Sequence, residues 1–416
     1  MRNDKWLKTT VGQYSPFVYG KAIKKADQKT DGIPVYGSNG IYTYSDSTII
    51  NQHAVIIGRK GSVGKVHLST EPCWVSDTAF YVLKDSLEES YFVYYLLSSL
   101  GLEYMNTDAA VPGLNRDNAH RLEISIPNTV EKRIALVEPL IKLDQKIHLN
   151  NKINQTLESI AQAIFKSWFI DFEPVRAKIS AKQTGQDPEL AAMYAISGKS
   201  EAELEQMAKE DFAELQATAA LFPDELVESE LGEVPRGWSI AKVDDILNRI
   251  KIKKRFKKND VNEFGRTFVL EQGSNIILGF HNDEGSIPAS KEEPAFIFGD
   301  HTCITKLMLS NFDVSENVIA VTGKERNSYW TYYAIRDLQK FQEYRRHWME
   351  LVSKQVVMAD IILTDYFAKK VKTLHEEIEN FVHENLVLIN LRDTLLPKLL
   401  SGEVDVSSLD LELTHE

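Results

Sequence analysis

The sequence predicts an α+β protein with two similar mixed α/β domains, joined by two long antiparallel helices that form a coiled coil in a pseudo-two-fold internal repeat. The first observation is that AVIIGRKGSVGKVHLS at 54–69 aligns without a gap with AFIFGDHTCITKLMLS at 295–310, with six of sixteen positions identical. The second is that a long segment with the 4-3 apolar spacing of a helix follows each copy. Together they indicate one structural unit that occurs twice in the chain.

Further matches follow the repeat in the same order along the chain. Trp6 corresponds to Trp238, YYLLSSL at 94–100 to YYAIRDL at 332–338, and Leu157 to Leu391. The offsets lie between 232 and 241 residues, so a unit of roughly 170 residues is repeated with small insertions. Two copies of one module suggest two similar tasks performed a fixed distance apart.

Each copy begins with a globular domain. In the first, IIN, AVIIG, KVHL and AFYVL are β-type runs separated by turn residues, and EESYFVYYLLSSL at 88–100 has the pattern of a helix. The predicted organisation is a first domain at 1–127, a first helical spacer at 128–172, an acidic helical connector at 173–235, a second domain at 236–370, a second helical spacer at 371–402 and a C-terminal tail at 403–416.

The two spacers carry apolar stripes of the coiled-coil type. The first stripe consists of Leu136, Leu140, Leu143, Ile147, Asn150, Asn154, Leu157, Ala161, Ile164 and Trp168. The second consists of Leu374, Ile378, Phe381, Asn385, Leu388, Arg392, Leu395 and Leu399. Because each stripe must be buried, we expect the helices to pack on each other, with the asparagines fixing the register. From Leu140 to Trp168 the helix spans roughly 43 Å, slightly more than one turn of B-DNA.

Charge is segregated along the chain. The net charge is −12, but residues 178–235 hold thirteen Asp or Glu and four Lys, whereas RIKIKKRFKK at 249–258 places seven cations in ten residues. A basic surface for nucleic acid is therefore compatible with the acidic total. No apolar stretch approaches the ~18 residues of a membrane span, and MRNDKWLKTT lacks a signal-peptide core. We therefore expect a cytoplasmic protein with no membrane partner.

Enzymatic motifs are absent from the sequence. GRKGSVGKV at 58–66 fails as a phosphate-binding loop, because five residues instead of four separate Gly58 from Gly64 and Val66 replaces the hydroxyl residue. The ten His follow no metal-ligand spacing, and the two Cys, one per repeat, exclude a disulfide framework. A nucleotide-dependent enzyme with an unrecognised site and a coiled-coil scaffold that binds protein remain as alternatives to a DNA-binding adaptor.

Motifs along the whole chain resemble one protein family. IPVYGSNGIYTYS at 33–45, the GRKGSVGK loop and GLNRDNAHRLEISIP at 113–127 resemble the first target-recognition domain of a type I restriction-modification specificity subunit. LNNKINQTLESIAQAIFKSWFIDFEP at 149–174 is similar to that family's first spacer, ESELGEVPRGW at 228–238 to its entry into the second recognition domain, and LRDTLLPKLLSGEV at 391–404 to the end of its second spacer.

The resemblance implies a non-catalytic subunit that reads the two halves of a split target on double-stranded DNA, one recognition domain for each half. It also implies partners, namely two methyltransferase subunits and, in the full complex, two restriction–translocase subunits. Adenosylmethionine, ATP and magnesium are then expected in those partners, and no cofactor is expected in this chain.

Loop residues with cations, amides or hydroxyls are the candidates for DNA contact, because phosphates and base edges are bound by such groups. In the first domain these are Tyr36, Ser38, Asn39, Tyr42, Arg59, Lys60, Gly61, Ser62, Lys65, Asn115 and Arg116. In the second they are Lys253, Lys254, Arg255, Lys257, Lys258, Asp300, His301, Thr302, Lys306, Arg326 and Asn327. The Arg59 loop is the strongest candidate, and Asp300, His301 and Thr302 occupy its place in the second copy.

Overall fold

The computed structural model describes residues 6–105, 113–273, 275–343 and 345–404, and the chain divides into two compact units. Unit 1 comprises the residues up to 148 together with those from 387 onward, and unit 2 comprises 149–386. Of the predicted C-terminal tail at 403–416, residues 405–416 lie outside the described residues.

Unit 1 contains the first globular domain. Its elements are β1 (Trp6–Thr10), α1 (Val11–Tyr14), β2 (Val18–Tyr19), β3 (Ile33–Gly37), β4 (Gly40–Ser45), β5 (Ala54–Gly58), β6 (Val66–Ser69), β7 (Trp74–Val75), β8 (Ala79–Val82), α2 (Leu87–Ser98), α3 (Arg116–His120) and β9 (Glu123–Pro127). They form a four-stranded sheet in the order β2-β8-β5-β6, a three-stranded sheet in the order β4-β3-β7, and the pair β1-β9. Strands β3 and β7 are parallel, and the other pairs are antiparallel.

A long helix and a small helical region follow. Helix α4 (Val130–Phe169) runs from unit 1 into unit 2. The connector then forms α5 (Glu173–Thr184), α6 (Pro188–Ser197), α7 (Glu201–Glu205), α8 (Lys209–Ala220) and a hairpin of β10 (Leu226–Ser229) and β11 (Gly232–Pro235). The predicted acidic connector therefore has secondary structure of its own. It also has a small apolar core, made of Ala192, Met193, Leu204 and Ala219.

The second domain repeats the first strand by strand. Its elements are β12 (Ser239–Lys242), β13 (Leu247–Arg249), β14 (Thr267–Leu270), β15 (Ile277–His281), β16 (Ala295–Gly299), β17 (Thr305–Met308), β18 (Asp313–Val314), β19 (Val318–Gly323), α9 (Ser328–Ile335), α10 (Trp348–Ser353) and β20 (Gln355–Met358), followed by α11 (Ile361–Leu400). The sheets have the orders β13-β19-β16-β17, β15-β14-β18 and β12-β20, and β14 and β18 are parallel. The predicted α+β fold with an internal repeat is confirmed.

The gapless alignment of the two copies is wrong beyond the hairpin loop. In the first copy Ile56 pairs with His67, whereas in the second Ile297 pairs with Lys306. The β16–β17 loop is therefore two residues shorter than the β5–β6 loop. Lys306 is equivalent to His67 and not, as the alignment predicted, to Lys65.

The two long helices are antiparallel within each unit, as the stripes predicted. In unit 2, Asn150 of α4 contacts Asn385 of α11, and further along α4 the ring of Phe165 lies 5.5 Å from that of Phe367. In unit 1, Asp144 pairs with Arg392. Every residue of both predicted stripes is buried or half-buried. Leu391, which the repeat matched with Leu157, is 45% exposed and lies outside the second stripe.

Helix α11 begins ten residues before the predicted start of the second spacer at 371. The carboxylate of Asp360 accepts a hydrogen bond from the Ile362 N–H at 2.8 Å, which caps the first turn. Leu363, Phe367 and Val371 are fully buried in the domain core. The stripe begins only at Leu374 because the first turns of the helix pack against the domain, where the coiled-coil spacing is not required. Among the described residues, every helix is too short or too polar to cross a bilayer.

Candidate nucleic-acid interface

Three segments of unit 1 meet beside the β5–β6 hairpin loop. The N–H groups of Arg59 and Lys60 both donate to the carbonyl of Thr78, at 2.9 and 3.1 Å. The Leu114 N–H donates to the Arg59 carbonyl at 2.9 Å. The hairpin loop is thus hydrogen-bonded to the turn at 76–78 on one side and to the segment at 113–116 on the other. Backbone bonds of this kind hold a loop in a defined conformation before any ligand binds.

Close backbone packing explains the glycines of the hairpin loop. A Cβ on Gly58 would lie 2.0 Å from the Ser62 carbonyl oxygen and 2.8 Å from that of Ser38, and a Cβ on Gly64 would lie 2.2 Å from the Glu103 nitrogen. Gly61 has a φ of +83°, which side-chain-bearing residues rarely adopt. These contacts bring the Ser38–Asn39 turn against the Arg59 loop. They give the glycines a structural role that needs no phosphate.

Two predicted arginines stack on one tyrosine. The guanidinium carbons of Arg59 and Arg116 lie 5.0 and 5.2 Å from the centre of the Tyr19 ring, which is 49% exposed. Arg59 also donates to the Asp77 carbonyl at 3.1 Å. Stacked guanidinium groups keep their donors in one plane, an arrangement suited to base edges and phosphates. Sequence analysis missed Tyr19, because nothing in the chain near Val18–Tyr19 marks it as a partner of distant arginines.

The other candidates of unit 1 divide into exposed and structural side chains. Tyr42 is 53% exposed, and Lys65 donates to the Asn39 carboxamide at 2.8 Å beside the same loop. Tyr36 packs against the core of Ile50, Ile56 and Cys73, and burial raises the pKa of its hydroxyl. Tyr36 is therefore half-buried against the core, and its contact with DNA stays a prediction.

Asn115 also has an intramolecular role. Its side-chain oxygen accepts a hydrogen bond from the Asn118 N–H at 3.1 Å and caps α3. Arg116 is the first residue of this helix. The cap thus positions Arg116 against Tyr19, and DNA contact by Asn115 stays a prediction.

Unit 2 repeats the same meeting of three segments. The Asp300 N–H donates to the Asn317 carbonyl at 2.9 Å, and the His347 N–H donates to the Asp300 carbonyl at 2.8 Å. These bonds are equivalent to those that Arg59 makes with Thr78 and Leu114. The backbone framework of the predicted reading loop is therefore the same in the two copies although its residues differ.

The Asp300 side chain supports a helix, which corrects its predicted role in DNA contact. Its carboxylate accepts hydrogen bonds from the His347 and Trp348 N–H groups, at 3.1 and 3.0 Å, at the start of α10. The residue is only 9% exposed. A carboxylate that caps a helix N-terminus is satisfied there by both hydrogen bonds and the helix dipole.

Three further candidates of unit 2 are occupied within the protein. Arg255 donates to the carbonyls of Ser315 and Val318, at 2.6 and 3.0 Å. Arg326 donates to the Ala359 carbonyl at 2.9 Å, and the side-chain oxygen of Asn327 accepts from the Tyr329 N–H at the start of α9. These side chains hold loops and helix ends in place, and DNA contact by them stays a prediction.

Lys306 faces the inside of unit 2. It lies on β17 opposite Ile297, which packs in a core together with Val382 and Leu386 of α11. Burial lowers the pKa of Lys306, and Glu379 on the same helix opposes that shift. Lys306 therefore points toward α11, and its prediction as a DNA contact is corrected.

The remaining candidates of unit 2 are compatible with a surface role. His301 and Thr302 are half-buried in the hairpin loop, where the His301 N–H donates to the Gln272 side chain at 2.9 Å. Lys253, Lys254, Lys257 and Lys258 are exposed. DNA contact by these residues stays a prediction. In the part of the chain that the structure describes, no group of three His, Cys, Asp or Glu could hold a metal ion.

Sequence analysis overlooked a second lysine-rich segment. Lys21, Lys24 and Lys25 are exposed between β2 and β3, at the topological place that the run at 249–258 occupies in the second domain. The signal was present as KAIKK at 21–25. It is shorter than the run of the second domain, and only the strand order shows that the two segments are equivalent.

Comparison with known proteins gives consistent results. Residues 3–159 match the family described as type I restriction modification DNA specificity domain. The specificity subunit of the type I restriction enzyme HindI from Haemophilus influenzae is 29% identical, over 97% of this chain and 92% of its own length. The specificity subunit of the type I restriction enzyme MjaIX from Methanocaldococcus jannaschii is 23% identical, over 87% of this chain and 80% of its own.

A solved structure shows the same fold. The S subunit of a type I restriction-modification system from M. genitalium aligns with a TM-score of 0.50 and 15% identity, over 96% of this chain and 97% of that one. At this level of identity the likeness concerns the fold alone.

Proposed function

We propose, from the premise that this chain is a type I restriction-modification specificity subunit, that each of its units reads one half of a split DNA target. A specificity subunit has a general role in DNA sequence recognition. The finer proposal is that the domain of unit 1 reads one half-site and the domain of unit 2 reads the other, with unspecified base pairs between them.

The observation that carries the proposal is one framework with two sets of side chains. The hairpin loops have equivalent backbone bonds, through Arg59 in unit 1 and Asp300 in unit 2. Their side chains differ, with Arg59, Lys60 and Ser62 in the first loop and His301 and Thr302 in the second, where Asp300 caps α10. Base pairs are distinguished by their donor and acceptor patterns, so two half-sites of different sequence require different side chains on a common scaffold.

The chemistry belongs to partner subunits in this proposal. We infer an assembly with two methyltransferase subunits and two restriction–translocase subunits. Adenosylmethionine, ATP and magnesium would be bound by those partners. The names of the two relatives, each the specificity subunit of a type I restriction enzyme, support an assembly of several subunits. The identity and number of the partners are implied by the family resemblance.

The test uses the chain reconstituted with its methyltransferase and a DNA library in which both half-sites are varied. Lys60→Ala with Ser62→Ala removes two side chains of the first hairpin loop and leaves its glycines. We expect methylation to lose base preference at one half-site, by roughly tenfold for each base that these side chains recognise, and to keep it at the other.

A matched variant in unit 2 provides the control. His301→Ala with Thr302→Ala changes the equivalent loop and should affect only the other half-site. Equal loss of preference at both half-sites in either variant would contradict one domain per half-site. A single undivided target sequence for the unmodified complex would contradict a split target, and the absence of any base preference would favour the protein-binding scaffold.

A further inference from the structure

Each domain has a lysine-rich connection that we name an arm. The first arm is residues 20–29, which follow β2, and the second arm is residues 250–262, which follow β13. The first contains four Lys and one Asp, and the second contains five Lys, one Arg and one Asp. Both arms are therefore cationic in a chain whose net charge is −12.

The two arms are equivalent in their structure. Each contains one turn of 3₁₀ helix, Lys25–Asp27 in the first and Lys258–Asp260 in the second. Each ends in an isolated bridge to the same strand of the three-stranded sheet, from Lys29 to Tyr44 in β4 and from Asn262 to Phe280 in β15. The arms are thus part of the repeated unit, although their sequences align poorly.

The first arm is attached to the turn that holds the hairpin loop of unit 1. The Gly20 N–H donates to the Ala79 carbonyl at 3.1 Å, and the Lys21 N–H donates to the Val75 carbonyl at 2.8 Å. Thr78, between these two acceptors, accepts the hydrogen bonds of the Arg59 loop. The arm therefore begins directly beside the predicted reading loop.

The second arm is attached in the corresponding way in unit 2. The Phe256 N–H donates to the Val314 carbonyl at 3.0 Å, and the guanidinium of Arg255 donates to the Ser315 carbonyl at 2.6 Å. Two residues further on, Asn317 accepts the hydrogen bond of Asp300. The Phe256 ring also stacks on His281 at 4.7 Å, so the middle of this arm is fixed.

The arms contain nine lysines, of which Lys29 pairs with Asp46 at 3.4 Å. The ammonium of Lys254 lies 4.1 Å from the centre of the Phe256 ring. The eight lysines other than Lys29 are exposed, namely Lys21, Lys24 and Lys25 in the first arm and Lys251, Lys253, Lys254, Lys257 and Lys258 in the second. Among the described residues, no ion pair closer than 4.0 Å involves any of them. Exposed ammonium groups on a fixed backbone are suited to the phosphate groups of a duplex, whose binding releases counterions.

We propose that the two arms bind the DNA phosphates beside each half-site, while the hairpin loops read the bases. The proposal rests on the proposed function and adds a division of labour within each domain. Because the second arm has five such lysines and the first has three, the second arm contributes the larger part of the salt-dependent affinity.

The test measures DNA affinity against salt concentration for the chain in its methyltransferase complex. Lys→Gln changes at 21, 24 and 25 remove the charge of the first arm, and changes at 251, 253, 254, 257 and 258 remove that of the second. The logarithmic salt slope should fall by about 0.9 for each phosphate that is no longer neutralised, hence by about 3 and about 4 to 5. The change should be the same on target and scrambled duplexes, with base preference retained.

Lys199→Gln with Lys209→Gln is the matched control, because both lysines are exposed on the connector and should leave the slope unchanged. Smaller variants, Lys24→Gln with Lys25→Gln and Lys253→Gln with Lys254→Gln, should lower the slope by about 2 each, and their melting temperatures verify folding. A salt slope that stays unchanged in the arm variants would contradict phosphate binding by the arms. A variant that loses base preference while its salt slope is unchanged would show that the arm reads bases. If the unmodified complex shows no preference for a split target, the proposed function fails independently of the arms.

Discussion

A buried histidine sits at the centre of a polar cluster in unit 2. The Nε2 of His375 on α11 lies 2.8 Å from the Tyr333 hydroxyl, which is also 3.1 Å from the Glu158 carboxylate on α4. Arg336 pairs with the same carboxylate. The residues connect the domain, through α9 and the residue after it, with both long helices of the unit. Because the cluster is buried, a change in the protonation of His375 affects the stability of unit 2.

The pKa of His375 predicts how unit 2 responds to acid. Burial, together with the charges of Lys306 and Arg336, lowers this pKa to about 3, so the folded state holds a neutral ring. The unfolded chain takes up a proton near pH 6.5. The contribution of His375 to the free energy of unfolding is therefore fully present above pH 6.5. It is lost as the pH falls from 6.5 toward 3, at up to about 1.4 kcal/mol per pH unit.

We expect His375→Gln to remove this contribution. Between pH 7 and pH 5 the variant should lose about 2 kcal/mol less of its free energy of unfolding than the unmodified chain. Urea unfolding followed by tryptophan fluorescence measures this, because four of the six Trp lie in unit 2. His383→Gln, an exposed position on the same helix, is the control. Equal pH dependence for His375→Gln and the unmodified chain would be inconsistent with a buried neutral ring.

At the residue scale, sequence reasoning could identify polar residues but not their partners. Arg59 and Asp300 occupy equivalent positions, yet the first stacks on Tyr19 and the second caps α10. Both uses depend on residues distant in the chain. Only segments with many cations close together, as at 253–258, could be predicted to keep charge on the surface.

At the scale of elements, the strands and the helical stripes were predictable because burial imposes a period on the sequence. The ends of the helices were less predictable. Helix α11, for example, begins in contact with the domain core and not at the start of its apolar stripe. The two-residue difference between the hairpin loops was hidden because the six identities of the gapless alignment extend to both its ends. The register of two strands depends on their hydrogen-bond pairing and on the length of the loop between them. The number of identical residues in an alignment does not reveal either.

The asparagine pair of the helical stripes is the strongest candidate for fixing their register. Asn150 donates to the Asn385 side-chain oxygen at 2.9 Å and to Glu384 at 2.8 Å, and Asn385 donates to Asn151 at 2.9 Å. Asn150 is fully buried. Such a pair costs stability relative to leucine but allows only one alignment of the two helices.

We therefore expect non-additive effects from replacing the pair. Asn385→Leu or Asn150→Leu alone removes the hydrogen bond between the two carboxamides and places a leucine against the remaining one, which keeps only its bond to Glu384 or Asn151. Each single change should cost about 1–3 kcal/mol. The double variant should recover most of this loss. A double-mutant cycle from urea unfolding gives the coupling free energy. Additive losses would show that the two side chains act separately and do not define the register.

At the scale of the whole molecule, the duplication supplies two reading domains and the long helices connect them. Each of the two helices has 40 residues and runs through both units. A continuous helix has a fixed rise of about 1.5 Å per residue. Under the proposed function, we therefore expect helix length to influence how far apart the two domains bind along DNA.

Helix length therefore predicts the gap between the half-sites. We consider one heptad inserted in each helix at the boundary of the units, after His148 in α4 and after Leu386 in α11, with the 4-3 apolar spacing maintained. Seven residues add about 10.5 Å, which corresponds to about three base pairs at 3.4 Å each. The two half-sites should keep their sequences, because neither hairpin loop is altered.

Methylation of a DNA library with gaps of different length measures the preferred spacing in the reconstituted methyltransferase complex. The preferred gap should increase by about three base pairs. A heptad in α4 alone is the control, because the pairs on the two sides of the insertion, Asn150–Asn385 and Asp144–Arg392, can then no longer both keep their register. That variant should lose stability and methylation at every gap. An unchanged preferred gap in the double insertion would show that the helices do not determine the spacing.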